Sequence, residues 1–481
     1  MKIGRFFRGV ASAGRCQAAS SGTRVERPAV RPARVMCAAA CLLAVWTATG
    51  VAVTPAAERR TLPNGARLVV SEQHALPMVV VQILIDAGSR RDPRGKEGLA
   101  SLTADLLTEG TPTRTASQIS EAADFIGASL GASAGTDFAT VNLTVLRKEL
   151  DRGLDLLTDI LLHPTFRDAE VVRRREAALA AMRARKDNPG SVAQRAFVNA
   201  LFNGEPYGHL VIGNPTSVRR LTRGDLVAFY RRNYRPGGAI VTVAGDVVVA
   251  QITRRLRSAL GEWRGGTARP FTYPTGAVHQ RQTVRIDKPI TQANVVIGGR
   301  GIARNNPDYY ALRVMNYILG GGGFSSRLLD NIRTKAGLAY SVSSFFTTSK
   351  APGSFQVVLQ TKNRSANDAI QRACGEIARL RQEPVSDEEL ESAKLYLTGS
   401  FPLRLDTTRK IAGFLSQVEF FNLGADYAES YPKRIRAVTK EDVLRVAQQY
   451  LHPERMDLVV VADQEQAKVS ATAGCSRRSR S

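Results

Sequence analysis

The stretch Leu221–Asp246, LTRGDLVAFYRRNYRPGGAIVTVAGD, returns without a gap as VTKEDVLRVAQQYLHPERMDLVVVAD at Val438–Asp463. Thr222 answers to Thr439, Asp225 to Asp442, Pro236 to Pro453 and Asp246 to Asp463, always 217 positions apart. In both copies a threonine stands three residues before an aspartate, the signature of a helix N-cap. A helix of about ten residues follows, the proline stops it, and a β-branched run reads as a strand. A weaker echo sets Ile160–Glu176, around Pro164, against Arg379–Lys394, around Pro384. The chain is therefore read as two homologous halves of about 200 residues each.

Outward from the repeat, Met78–Gly88 (MVVVQILIDAG) and Ala139–Leu146 (ATVNLTVL) read as strands, and Ile119–Ala128 and Leu154–Pro164 as amphipathic helices. The second half keeps the order, with strands at Ala293–Gly299 and Ser354–Thr361 and a helix around Leu312, Met315 and Leu319. Strands followed by pairs of helices imply an α+β fold: two homologous domains, each a mostly antiparallel sheet with helices packed on one face. The expected boundaries are a leader over 1–57, a first domain over 58–263 and a linker over 264–284. A second domain over 285–468 and a disordered tail over 469–481 complete the chain.

At 481 residues the chain exceeds a single core, and 43% hydrophobic with 23% charged residues describe an ordinary globular body. Of the formal charge of +24, the first 57 residues and Arg477, Arg478 and Arg480 carry ten, leaving +14. That remainder is dispersed and not interleaved with aromatics, which argues against nucleic acid as a partner. Acidic peptides and anionic membrane surfaces remain the partners that such a balance attracts. Val35–Ala56 is apolar, follows arginines and ends in small residues, the pattern of a signal peptide, with Met36 as an alternative start. The protein is therefore expected to be exported and periplasmic, the alternative being a leader that stays uncut as a membrane anchor. Cys374 and Cys475 are the cysteines beyond the leader. Cys374 shares a helix face with Ile370 and Ile377 and reads as a buried core thiol, not a disulfide partner.

Between Gly88 and Thr111 the chain reads GSRRDPRGKEGLASLTADLLTEGT. This resembles the segment of the pitrilysin and mitochondrial processing peptidase family that carries the inverted zinc motif His-x-x-Glu-His after Gly-Leu-Ala and before Gly-Thr. In that motif positions i, i+3 and i+4 share a helix face, so two histidines hold zinc while the glutamate activates water. The same positions here are Ser101, Ala104 and Asp105, although Leu99, Leu102 and Leu106 keep the helix amphipathic. Ser101 and Asp105 read as a hydrogen-bonded remnant of the site. The family's third ligand, a downstream glutamate, falls on Ala181 when anchored at Asp187-Asn188-Pro189, with no carboxylate within two residues. The five histidines, 74, 163, 209, 279 and 452, have no second histidine or cysteine within four residues, so no cofactor is expected in this chain.

The second half carries LGGGGFSSRLLDNIRTKAGLAYSVSSFF at Leu319–Phe346. Gly320, Gly321, Gly322 and Gly323 with Phe324 are too flexible for a regular element, and allow another backbone to approach closely. In the resembling family an arginine and a tyrosine at the spacing of Arg333 and Tyr340 contact substrate across the cavity from the zinc. Arginine offers rigid donors to a peptide carbonyl and tyrosine a hydroxyl donor. Over Arg60–Asp463 the resemblance implies half of a clamshell: a non-catalytic subunit that binds unfolded or short peptides. Arg333 and Tyr340 would act in trans toward a homologous partner that bears His-x-x-Glu-His and the zinc. The alternative is a peptide-binding or assembly protein without associated proteolysis.

Overall fold

The computed structural model describes residues 55–273, 279–470, 474 and 475; the expected leader, up to residue 54, lies outside them. The duplicated segments fold alike. Thr222 accepts from the Asp225 backbone N–H at 3.2 Å and Asp225 accepts from the Thr222 N–H at 3.1 Å. Thr439 and Asp442 repeat both bonds at 3.1 and 3.2 Å. These reciprocal caps satisfy two otherwise orphaned donors and fix where the Arg223–Asn233 and Lys440–Tyr450 helices begin.

The first sheet comprises β1 (Glu58–Thr61), β2 (Arg67–Glu72), β3 (Met78–Ile85), β4 (Ser129–Ala134), β5 (Ala139–Leu146) and β6 (Ile240–Gly245), in the order β1-β2-β6-β3-β5-β4. The second comprises β7 (Thr283–Asp287), β8 (Gln292–Arg300), β9 (Ala339–Phe346), β10 (Ser354–Lys362) and β11 (Asp457–Ala462), in the order β7-β11-β8-β10-β9. Apart from the extra β1 the two orders coincide, and β2 with β6 matches β7 with β11 as the parallel pair of each sheet. The expected α+β halves are present, and the repeat extends to whole-sheet topology. The aspartates that close the repeat have diverged. Asp246 bonds His74 at 2.8 Å, whereas Asp463 caps the short Gln464–Ala467 helix.

One face of each sheet is covered by helices of its own half; Leu154, Leu157, Ile160 and Leu161 meet Val141, Leu143 and Val145 in the first core. The opposite face is covered by a helix from the other half, an arrangement that the expectation of helices on one face does not contain. Helix Pro189–Leu201, capped by Asn188, lays Val192, Ala193, Phe197 and Leu201 against Val296, Val459 and Val461 of the second sheet. Gly298 makes room: a Cβ there would lie 2.8 Å from the Phe197 ring. In return helix Thr408–Phe421 lays Ile411, Ala412 and Leu415 on Val69, Val80, Leu84 and Ile240, and Ser416 donates to Thr242 at 2.8 Å. Each half thus completes the other's core.

The expected linker is pinned on both sides of residues 274–278, which lie outside the described residues. Phe271 stacks under Arg90 at 4.6 Å, Tyr273 donates to Glu205 at 2.9 Å, and His279 bonds Asp457 at 2.9 Å. Glu205, from the first half, also accepts from Arg300 of β8 at 2.8 Å. Burial works to raise the Glu205 carboxyl, but the bonds from Arg300 and Tyr273 outweigh it and leave it below the usual carboxylate range. A carboxyl depressed in the folded state stabilises above its unfolded pKa of about 4.3, and that contribution is lost as pH falls below it. Glu205→Gln should therefore lower the melting temperature at pH 7, and thermal scans should show the difference from the parent shrinking toward pH 3. A difference of equal size at both pH values would contradict this.

Two expectations for the C-terminus need correction. Cys374 is not a free core thiol: it is disulfide-bonded to Cys475, 101 positions away, with Cα atoms 4.9 Å apart. Nor is the tail wholly without structure. Val469 and Cys475 are buried in the second core, and Asn367 donates to the Ala467 and Lys468 carbonyls at 3.1 and 3.2 Å. Residues 471–473 and 476–481 fall outside the described residues. Among the described residues no helix is long and apolar enough to cross a membrane.

Candidate functional site

Helix Leu99–Asp105 carries the first three motif positions and packs beside the edge strand β4. Its start is well built: Asp92 accepts from the Gly98 and Ala100 N–H groups, both at 2.8 Å. Leu99 and Leu102 are buried as their spacing predicts. Ala104 is buried too, while Ser101 is half-buried and Asp105 exposed. Ser101 and Asp105 make no hydrogen bond to each other, contrary to their reading as a bonded remnant. Asp105 instead lies in the field of Arg174. The surrounding protein raises its carboxyl above the ordinary range, Arg174 opposes that rise and Glu109 adds to it. Arg174, half-buried, donates to the buried Glu109 at 2.8 Å, and Arg173 bonds the same carboxylate. Ala181 is exposed on the Asp168–Lys186 helix. An arginine–carboxylate cluster thus stands beside the positions where ligands would converge.

In the second half the helix Tyr309–Asn316 follows β8 as Leu99–Asp105 follows β3, and the glycine run comes directly after that helix. Contrary to expectation, the run begins inside regular structure, because Tyr317–Gly321 forms a π-helical turn. The glycines there are forced by proximity. A Cβ at Gly320 would lie 2.6 Å from the Ser344 N, and one at Gly321 2.6 Å from Asn316 Nδ2. Asn316 donates to the Ser344 carbonyl at 3.1 Å and accepts from its hydroxyl at 2.9 Å, clamping the turn onto β9. Phe324 emerges from the loop 77% exposed, with the Arg333 guanidinium 5.4 Å from its ring centre.

Tyr340 lies at a β-bulge. Gln360 pairs with Ser341 and Thr361 with Ala339, so Tyr340 has no partner across the ladder and is 72% exposed. Bulges re-aim side chains and cluster near functional sites. Neither the Arg333 nor the Tyr340 side chain makes a hydrogen bond or ion pair among the described residues, so all their donors are free. Loop and arginine meet through Phe324, while Tyr340 stands on the adjoining free-edged strand. Two supports escaped the sequence reading. Arg327, directly after the loop, donates to both Glu389 oxygens at 2.6 and 2.7 Å. Burial would raise the Glu389 carboxyl; Arg327 outweighs it and leaves it low. Asn331 donates to the buried Glu376 at 2.6 Å and steadies the turn that carries Arg333. The spacing Ser386-x-x-Glu389 is a capping-box signal in the sequence that was not read, and its partner Arg327 gives no local signal.

Family models match two consecutive parts of the chain: the Insulinase (Peptidase family M16) model at residues 67–214 and the Peptidase M16 inactive domain model at residues 220–397. An uncharacterized zinc protease of Mycobacterium leprae is 30% identical over 398 residues, covering 82% of this chain and 89% of that protein. The chain belongs to the peptidase M16 family. A zinc protease of Streptomyces coelicolor, also uncharacterized, is 29% identical over 82% of this chain and 87% of its own length. Among solved structures, the M16 inactive domain from Pseudomonas fluorescens aligns with a TM-score of 0.80 at 28% identity, covering 84% of this chain and 98% of that one. A protease from Helicobacter pylori shares the fold, with a TM-score of 0.77 over 85% of this chain and all of that one.

The zinc of the inverted motif does not fit this M16 chain. Ser101 offers a neutral hydroxyl and Asp105 one carboxylate, Ala104 and Ala181 offer nothing, and a tetrahedral site needs three protein ligands. Among the described residues no three His, Cys, Asp or Glu side chains gather elsewhere to hold a metal. What the chain presents is a motif helix without ligands in one half and free arginine, tyrosine and phenylalanine side chains in the other.

Proposed function

We propose that this chain is the non-catalytic subunit of a two-chain M16 metallopeptidase: it binds peptide and directs Arg333 and Tyr340 toward a homologous partner that carries His-x-x-Glu-His and zinc. The observation that carries this reading is the contrast between the two halves: an intact motif helix without ligands in one, and in the other a clamped loop followed by Arg333 and Tyr340, whose donors have no internal partner. The free edge of β9 can receive an extended peptide as an added strand, beside Tyr340. Arg333 would orient a peptide carbonyl, and the Tyr340 hydroxyl would donate where negative charge develops. Glycines 320–323 and Phe324 would form the wall against which the peptide lies. Export belongs to the same proposal, and the Cys374–Cys475 disulfide supports an oxidising compartment.

The mature chain purified alone should hold less than about 0.1 zinc per chain by elemental analysis, because too few ligands converge. When a His-x-x-Glu-His homologue is co-expressed, the two should elute together with about one zinc per pair. Zinc bound stoichiometrically to the isolated chain, or no association with such a homologue, would overturn the proposal.

A further inference from the structure

We propose that the face around the degenerate zinc position selects acidic peptides; the inference rests on the reading of this chain as a peptide-binding subunit and names its substrate class. On helix Asp168–Lys186, Arg174, Ala181 and Arg185 are spaced seven and then four residues apart, which places them on one helix face. Arg174 on that stripe lies within the field of Asp105. A second arginine-bearing element packs against helix Asp168–Lys186. The helix Pro215–Arg220 sits on the start of Leu99–Asp105, with Ser217 donating to the Glu97 carbonyl at 2.7 Å. Val218 lies so close that a Cβ on Gly98 would be 3.0 Å from its Cγ2. Arg219 and Arg220 follow directly, both exposed.

Arg185, Arg219 and Arg220 form no ion pair or side-chain hydrogen bond among the described residues, unlike Arg174, which Glu109 engages. Local acids are scarce: between residues 183 and 220 six Lys or Arg face Asp187 and Glu205, and Glu205 is taken by Arg300. Asp105, in the field of Arg174, and Asp187, two residues after Arg185, are exposed carboxylates close by, and Glu176 is exposed on the same helix. Unpaired guanidiniums of this kind bind carboxylates in two-pronged fashion and raise the local concentration of anionic ligands. Peptide segments rich in Asp and Glu are the ligands that this chemistry recognises.

The test uses the mature full chain and three fluorescein-labelled peptides of equal length: one rich in Asp and Glu, its Asn and Gln counterpart, and a Lys-rich one. Anisotropy at low salt should show the acidic peptide binding roughly tenfold more tightly than the neutral one, with the gap closing at high salt. The triple variant Arg185→Gln/Arg219→Gln/Arg220→Gln should reduce the preference to less than about twofold. Arg231→Gln/Arg254→Gln/Arg257→Gln removes the same charge from exposed arginines on other helices and should keep it. Equal affinity for all three peptides, no binding, or equal loss in both triple variants would overturn the inference. Its failure is separable from failure of the subunit reading. Hydrolysis by the two-chain complex that depends on Arg333 and Tyr340 but ignores peptide charge would remove only the selectivity. Selective binding without any such hydrolysis would remove only the catalytic partnership.

Discussion

Tyr340→Phe and Arg333→Ala should each lower peptide hydrolysis by the two-chain complex about a hundredfold while leaving the complex assembled. Removing one preorganised donor from an oxyanion-stabilising set costs about 3 kcal/mol, which corresponds to that factor in rate. Tyr340→Phe keeps the ring and deletes only the hydroxyl. Because Tyr340 is exposed at a bulge and its hydroxyl bonds nothing within the chain, the substitution leaves folding untouched, and a rate loss reports on chemistry. Arg333→Ala also removes the cation above Phe324, so the loop could relax. Arg333→Lys separates these effects: it restores the charge but not the two-pronged geometry and should recover only part of the rate. Size-exclusion chromatography confirms assembly. Full activity in both Tyr340→Phe and Arg333→Ala would reduce the chain to a scaffold.

The second large effect is on stability. Cys475→Ser should lower the unfolding free energy by about 4 kcal/mol, because cross-linking a loop of this length removes a comparable amount of chain entropy from the unfolded state. The bond spans 101 positions, from the Ala366–Gln382 helix to the buried tail residue Cys475, so it closes about half of the second half. Urea unfolding of the parent with and without reductant should reproduce the difference, and reductant should leave Cys475→Ser unchanged. A parent insensitive to reductant would show that the tail does not depend on the bond.

Some of this architecture was legible in the sequence because its causes are local. The Thr-x-x-Asp caps and the helix spacing of Leu99, Leu102 and Leu106 need only neighbouring residues to be seen, and the loss of zinc ligands was legible through the resemblance to the family motif. The exchanged helices were not legible. Phe197 looks like any apolar helix residue until Gly298, in the other half, is known to vacate the space for it. The Tyr340 bulge depends on register against Gln360 and Thr361, which β9 alone does not contain. The inward face of Cys374 was read correctly from Ile370 and Ile377. Its bonding was not, because that depends on where a tail without periodicity returns.

The central claim, zinc on one chain and substrate donors on the other, is tested most directly by mixing. The mature chain and a zinc-loaded His-x-x-Glu-His homologue are assayed separately and together against one fluorogenic peptide. Neither alone should hydrolyse it appreciably, and activity should rise to a plateau at a one-to-one ratio. Activity of this chain alone, or of the homologue at full rate without it, would contradict the division of labour.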